Sequence, residues 1–296
     1  MIWKIRAREF TFDHTVLMAV LNLTPDSFSD GGKYLDPAKA VENALAMEAE
    51  GAEILDLGAE STRPGAREIS AAEEMQRLLP VLRSLRARTR AAISVDTTKP
   101  EVAAAAIAEG AEIINDVSGL RPFRALGPGG LKDSGAAMAE LIRKSGAGII
   151  LMHRRGNPQT MQAQTQYTET AEEVAAELGE SVDLALAAGI RAEQIAVDPG
   201  LGFAKTAEQS FELLAQLEKF QRWGRPVVLG PSRKSFIGEA TGRAVDEREF
   251  GTAAAAALAV SKGVQIIRIH QVAAMRDAVR VAEAVKQGEK RHVRSF

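Results

Sequence analysis

Residues 20–32 read V-L-N-L-T-P-D-S-F-S-D-G-G, and an apolar run with strand character, 16–21, leads into them. The run breaks at Asn22 into Thr24, Pro25, Asp26, Ser27, Ser29 and Asp30 and closes on Gly31-Gly32. A turn does not need that many oxygen-bearing side chains around one Phe. Most connections are shorter, and long polar loops are frequently functional. A solvated connection would explain one such loop. It does not explain why the same transition, from apolar run to polar residue, recurs down the whole chain.

Outward from that stretch one unit repeats. Further strands are expected at 54–57, 93–96, 113–117, 149–153, 195–198, 227–230 and 266–270. A helix is expected at 37–50, with Asp36 as N-cap and Pro37 at its first position. A second, at about 71–88, has Ser70 as N-cap and Glu73 three residues on. Others are expected at 100–109, 168–187, 207–220 and 247–261, with a last one ending near 286. The strands are short continuous apolar runs, as parallel strands covered on both faces are. Eight of them alternating with helices make an α/β chain, a (β/α)8 TIM barrel, over residues 16–286 as a single domain. An open doubly wound sheet would carry a Gly-rich turn after its first strand; here Asn22-Leu23-Thr24-Pro25 stands instead. Residues 1–15 are expected to form an N-terminal β-hairpin capping the closed end, and 287–296 a polar tail that frays. Residues 120–134, with Pro122, Pro128 and several glycines, are expected to be an exposed, mobile loop insertion.

Composition excludes several classes. The 296 residues are 46% hydrophobic and 26% charged, enough for a large core. A net charge of −2 leaves no basic footprint for nucleic acid. The chain has no cysteine, which excludes disulfides and thiolate metal sites and points to a reducing cytoplasm. No signal peptide is legible in residues 1–10, and no apolar run is long enough to span a membrane.

In a barrel of this kind the site lies at the C-terminal ends of the strands. Those ends carry Asn22, Asp56, Asp96, Asn115 with Asp116, His153, Asp198, Lys234 just past the seventh strand, and Arg268 with His270. Helix capping explains any one Asp or Asn. It does not explain all eight ends together, nor Lys234, Arg268 and His270. Asp96, Asn115 and Asp198 are suited to the edge of an amino-pyrimidinone ring, which offers both donors and acceptors. Arg268 and His270, two apart on a strand, face one side and with Arg63 suit a phosphate or diphosphate. Lys234, in G-P-S-R-K-S-F, is either an anion or ring-stacking contact or a Schiff-base nucleophile. Asn22 and the first-loop oxygens suit a hard cation such as Mg2+.

The pattern resembles the dihydropteroate synthases, folate-pathway enzymes one of whose substrates the sulfonamides mimic. The matching stretches are L-N-L-T-P-D-S-F-S-D-G-G at 21–32, D-L-G-A-E-S-T-R-P-G at 56–65, S-V-D-T at 94–97, I-I-N-D-V-S at 113–118, L-M-H at 151–153, D-P-G-L-G-F-A-K at 198–205, G-P-S-R-K-S-F at 230–236 and R-I-H at 268–270. They occur in order from the first strand to the eighth. The resemblance implies condensation of 6-hydroxymethyl-7,8-dihydropterin diphosphate with p-aminobenzoate, giving 7,8-dihydropteroate and diphosphate. It places Asp96, Asn115, Asp198 and Lys234 around the pterin, Arg268 and His270 at the diphosphate, and Asn22 on Mg2+. Thr62 and Arg63 fall on a mobile second loop, and Phe28, Pro64, Phe203 and Ser235 shape the p-aminobenzoate pocket. The implied chemistry is dissociative, with Asp96, Lys234, Arg268 and His270 as the catalytic groups and both loops closing to exclude water. On this reading the first loop, with Phe28, is disordered until the diphosphate binds. The family commonly forms homodimers, for which the Ala-rich seventh helix and the eighth offer a face.

Three positions depart from the family pattern: Gln271 where Asp is usual, Ala59 where Gly is common, and Arg154 where Met is frequent. Three other readings stand beside this one. A pterin-dependent methyltransferase barrel would share the pterin pocket but has no use for a diphosphate clamp. A Schiff-base aldolase would act through Lys234. A pterin-binding protein without turnover would have little need of both loop motifs.

Overall fold

Successive residues of a strand face opposite sides of its sheet, and in this chain the two sides have different tasks. The computed structural model describes residues 1–24, 36–62, 65–121 and 132–293. Its main sheet is built from β3 (Val16–Asn22), β4 (Ile54–Gly58), β5 (Ala92–Asp96), β6 (Ile113–Asp116), β7 (Gly148–Met152), β8 (Ile195–Asp198), β9 (Val228–Leu229) and β10 (Ile266–Ile269). All neighbours are parallel, in the order β8-β7-β6-β5-β4-β3-β10-β9. A parallel bridge between Val197 and Val227 joins the two ends and closes the barrel.

One set of alternating positions, including Leu17, Leu55, Ile93, Ile114, Ile149, Ile195, Leu229 and Ile267, packs outward into a single core with the helices. The other set faces the barrel axis. Its lower layer is apolar: Val16, Met18, Ile54, Ala92, Ile113, Ile150, Ala196, Val228 and Ile266 share a cluster with Trp3 and Ile5. Those two residues belong to β1 (Trp3–Ile5), which pairs antiparallel with β2 (Arg8–Phe10). The expected hairpin therefore plugs the barrel floor. Trp3 is fully buried and its indole N–H donates to the Gln194 carbonyl at 2.9 Å. Gly148 is needed beneath it, because a Cβ there would lie 2.3 Å from Ile5. Two residues further along β4, β5, β6, β8 and β10 the inner set turns polar, at Asp56, Ser94, Asn115, Asp198 and Arg268, and that change of layer creates the site.

The helices are α1 (Pro37–Ala49), α2 (Ala71–Arg86), α3 (Pro100–Ala108), α4 (Lys132–Ser145), α5 (Thr170–Ala187), α6 (Ala207–Ala215), α7 (Ser235–Thr241), α8 (Glu249–Ser261) and α9 (Val272–Val293). Asp36 caps α1, accepting from the Ala38 and Lys39 amides, and Ser70 caps α2, accepting from Glu73. Four expectations need correction. Residues 132–134 are not loop but the first turn of α4, a 14-residue helix that was not itself expected. The helix expected to reach 220 ends at Ala215 and continues only as a 3-10 turn, Leu217–Gln221. α7 was not expected at all. The tail expected to fray from 287 is helical as far as Val293, the end of α9; Gln, Glu, Lys and Arg are good helix formers. Residues 122–131 of the expected insertion lie outside the described residues. Among the described residues no helix is long and apolar enough to cross a membrane.

Candidate active site

The polar inner layer centres on Asp56 of β4, which is fully buried. Its Oδ2 accepts from Arg268 Nε at 2.7 Å and from Asn115 Nδ2 at 3.3 Å. Arg268 Nη2 also donates to Asp96 Oδ2 at 2.9 Å. Strand register produces this meeting, since Asp96 of β5 lies beside Asn115 of β6 and beside Gly58 of β4. A Cβ at Gly58 would meet that of Asp96 at 3.6 Å, in ordinary van der Waals contact. Asp56 Oδ1 and Asp96 Oδ1 are buried without a hydrogen-bond partner. Such atoms are uncommon in folded proteins and mark where a ligand's donors are received. Burial pushes the Asp96 carboxyl up to about 7, against the pull of Arg268.

Asp198, at the end of β8, accepts from the Gly200 amide at 2.7 Å. Burial raises its pKa, and the nearby Lys234 ammonium opposes the rise. Lys234 reaches in from the turn after β9. That turn holds Arg233 at φ 58°, a left-handed conformation costing a non-glycine residue about 1–2 kcal/mol. The surrounding contacts keep it there: Arg248 Nη1 donates to the Arg233 carbonyl at 3.0 Å, and the Arg233 guanidinium pairs with Glu249 at 2.5 Å. Lys234 Nζ donates to the Leu201 carbonyl at 2.5 Å and lies 4.7 Å from the centre of the Phe203 ring. Burial lowers its pKa to about 8, with Asp198 opposing. Gly230 is flanked by the Lys234 ammonium and the Arg268 side chain, so the two cations share one wall. Ser232 Oγ accepts from the His270 amide at 3.3 Å and lies 2.8 Å from His270 Nδ1, which fixes the ring.

The structure thus brings together Asp96, Asn115, Arg268, Lys234 and Phe203, and sets His270 and Asp198 beside them. Thr62 is half-buried at the start of the second loop and Ser235 is exposed at the first turn of α7. Phe28, Arg63 and Pro64 lie outside the described residues. So do residues 25–35 of the first loop, and with them its expected disorder. His153 is a correction to the strand-end set. Its side chain is fully buried against Glu177 of α5 and Lys205, not in the polar layer. Asp56 is the group to which the sequence assigned no role. Its signal was available: it lies two residues before Gly58 and so shares its inward face.

Of the three departures, Gln271 is exposed just beyond β10 and Ala59 is buried. Arg154 is buried too, its pKa lowered to about 10 by that burial against the opposing charges of Asp116, Asp96 and Glu60. Among the described residues no three His, Asp or Glu side chains gather as a metal site. Asn22, half-buried at the end of β3, offers one amide oxygen. That fits Mg2+ whose remaining ligands are phosphate oxygens and water, the usual shell for this ion beside a diphosphate.

Residues 18–270 match the family of pterin-binding enzymes. A dihydropteroate synthase from Synechocystis is 44% identical over 92% of this chain and 90% of its own length. The dihydropteroate synthase of Xanthomonas albilineans, solved with 4-aminobenzoic acid, superposes with a TM-score of 0.86 at 38% identity, covering 97% of this chain and 99% of that one. The Thermus thermophilus enzyme in complex with 6HMPPP gives 0.79 at 39% identity, covering 96% and 99%.

Proposed function

The chain belongs to the pterin-binding enzyme family, and on that footing we propose that it condenses 6-hydroxymethyl-7,8-dihydropterin diphosphate with p-aminobenzoate, as a dihydropteroate synthase does. The observation that carries this reading is the pair of orphaned carboxylate oxygens, Asp56 Oδ1 and Asp96 Oδ1, beside the cations of Arg268 and Lys234. An acidic edge next to a cationic wall suits a ligand with N–H donors at one end and a leaving anion at the other.

Asp96, Asn115 and Asp198 receive the pterin ring, and Lys234 lies between it and Phe203. Arg268 and His270, with Arg63 of the second loop, take the diphosphate. The C–O bond of the hydroxymethyl group breaks heterolytically and its electron pair leaves with the diphosphate. Asp96 and Asp198 supply negative field to the methylene cation that remains. The arylamine nitrogen, placed by Phe203, Ser235 and the residues Phe28 and Pro64, forms the new C–N bond and gives its proton to solvent or diphosphate. Positioning and fixed charge do this work, and no side-chain nucleophile is needed. Mg2+ would be held by Asn22 with the diphosphate oxygens, and when bound it supplies positive charge to the leaving group.

The reading places the chain in the cytoplasm as a homodimer. In support of the dimer, Phe250 and Leu258 of α8 and Val281 and Val285 of α9 are exposed on two helices that pack together. Light scattering expects twice the 31.7 kDa chain mass, and a monomer at micromolar concentration contradicts it. The function itself is tested by expressing the chain in a cytoplasmic synthase-deficient strain, which is expected to grow without added folate products. A folded chain that leaves the strain unable to grow contradicts the proposal.

A further inference from the structure

The reaction derived above uses Asp198, Lys234 and Phe203 but has no role for the buried groups just behind them. Between Asp198 and α6 the backbone makes an unusual turn: Gly200, Gly202 and Ala204 all have left-handed φ values, of 69°, 75° and 52°. A Cβ at Gly200 would lie 2.1 Å from the His153 carbonyl. The turn holds a backbone bond of its own, from the Phe203 amide to the Gly200 carbonyl at 3.1 Å, and its Gly200 and Gly202 amides donate to Asp198 and Ser210; the remaining carbonyls are gripped from outside. Lys234 grips the Leu201 carbonyl from the site. Lys205 grips the other end, donating to the Phe203 carbonyl at 2.8 Å and to His153 Nδ1 at 2.9 Å.

The chemistry of that second grip is fixed by its partners. The Glu177 carboxylate only accepts, so the His153 proton sits on Nε2, 3.2 Å from Glu177 Oε2, and Nδ1 is left to accept from Lys205. His153 is held neutral, its pKa lowered to about 3 by burial and by Lys205. Glu177 is in turn held by Arg155 Nε at 2.9 Å and Arg121 Nη1 at 3.2 Å. The chain of bonds runs from a rigid helix, α5, to the carbonyl of the residue whose ring faces Lys234.

We propose that Lys205 and His153 are positioning residues that lock the Phe203 turn and so set the affinity for the arylamine substrate, leaving pterin binding nearly untouched. This rests on the dihydropteroate synthase reading above. The distinction follows from where the grip acts. The pterin groups Asp96, Asn115 and Arg268 sit on strands, with Asn115 and Arg268 donating to Asp56 and Arg268 also to Asp96. Asp198 and Lys234 hold the near end of the turn, at the Gly200 amide and the Leu201 carbonyl, and Lys205 holds only the far end, at Phe203.

The test is a KM split in the full-length enzyme. Lys205→Met and His153→Leu are expected to raise the KM for p-aminobenzoate at least about tenfold, the scale of one lost hydrogen bond to a charged group. The KM for the pterin diphosphate is expected to stay within about threefold. His153→Asn, whose Oδ1 can take the Lys205 hydrogen bond, is expected to recover most of the loss seen in His153→Leu. The inference is overturned if a folded Lys205→Met keeps the wild-type arylamine KM. It is equally overturned if both KM values move together, or if Asn at 153 is no better than Leu. Should Lys205→Met fail to fold, the two position-153 variants decide. A wild-type chain without turnover refutes the functional reading instead, and the inference falls with it.

Discussion

At the scale of single residues, Asp96 is the most informative group. Burial holds its carboxyl up near 7 although Arg268 pulls the other way. A ring N–H is received best by the ionised form. Pterin affinity is therefore expected to rise as pH increases through about 7, read by calorimetry between pH 5.5 and 8.5, and Asp96→Asn is expected to flatten that profile. A wild-type affinity independent of pH contradicts the assignment. Asp56 works at one remove, holding Arg268 and Asn115. In Asp56→Asn one of those donors faces an amide N–H, and kcat/KM is expected to fall at least about tenfold, or 1.4 kcal/mol, with the fold retained. Asp96, Asn115, Asp198 and Arg268 stood out because helix capping explains any one polar strand end but not the whole set, and Lys234 stood out within its motif just past the seventh strand. Asp56 was visible but unassigned, since its partners come from the sixth and tenth strands and no local spacing reveals them. Lys205 was quoted only within a motif, because its partner His153 is fifty-two residues away.

At the scale of elements, the stem of the second loop is tied to two helices by one lysine. Lys99 Nζ lies 2.7 Å from Glu60 Oε2 and 2.7 Å from Glu74 Oε2, and the Glu74 side chain is fully buried. Removing one partner of a buried pair leaves an uncompensated charge and costs about 3–5 kcal/mol. Lys99→Met is expected to lose that much in denaturant unfolding, and Lys99→Met with Glu74→Gln considerably less; a single variant of wild-type stability contradicts the pairing. Long elements were legible from their caps: Asp36, Ser70 and Pro100 start helices where the sequence said they would. α4 and α7 were not. α7 spans only Ser235–Thr241, less than two full periods of apolar spacing, and stops at Gly242 with φ 69°. β9, expected at 227–230, is a strand over only Val228–Leu229.

At the scale of the whole molecule, the barrel is a gradient along its axis: an apolar floor sealed by Trp3 and Ile5, then a layer of Asp, Asn and Arg. The alternation that creates the gradient is hidden in the sequence, because outward and lower inward positions are both apolar and only the upper inward positions differ. The buried groups also oppose one another in acid. His153 titrates near 3 when folded and near 6.5 when unfolded. Its contribution to stability is full above about 6.5 and is lost as pH falls toward 3. Asp96, raised to about 7, has the opposite sign: its contribution is full below the unfolded value near 3.8 and is lost as pH rises through 7. The clean observable is the difference between variants. Relative to His153→Asn, the wild type is expected to lose stability between pH 6.5 and 4, and a difference independent of pH contradicts the burial of a neutral imidazole. All of these claims converge on one reaction at the polar end of the barrel, and release of diphosphate measures it. The purified chain, given the pterin diphosphate, is expected to release diphosphate only when p-aminobenzoate and Mg2+ are both present, one diphosphate for each 7,8-dihydropteroate formed. A folded protein that binds the pterin but releases no diphosphate under those conditions would contradict the account.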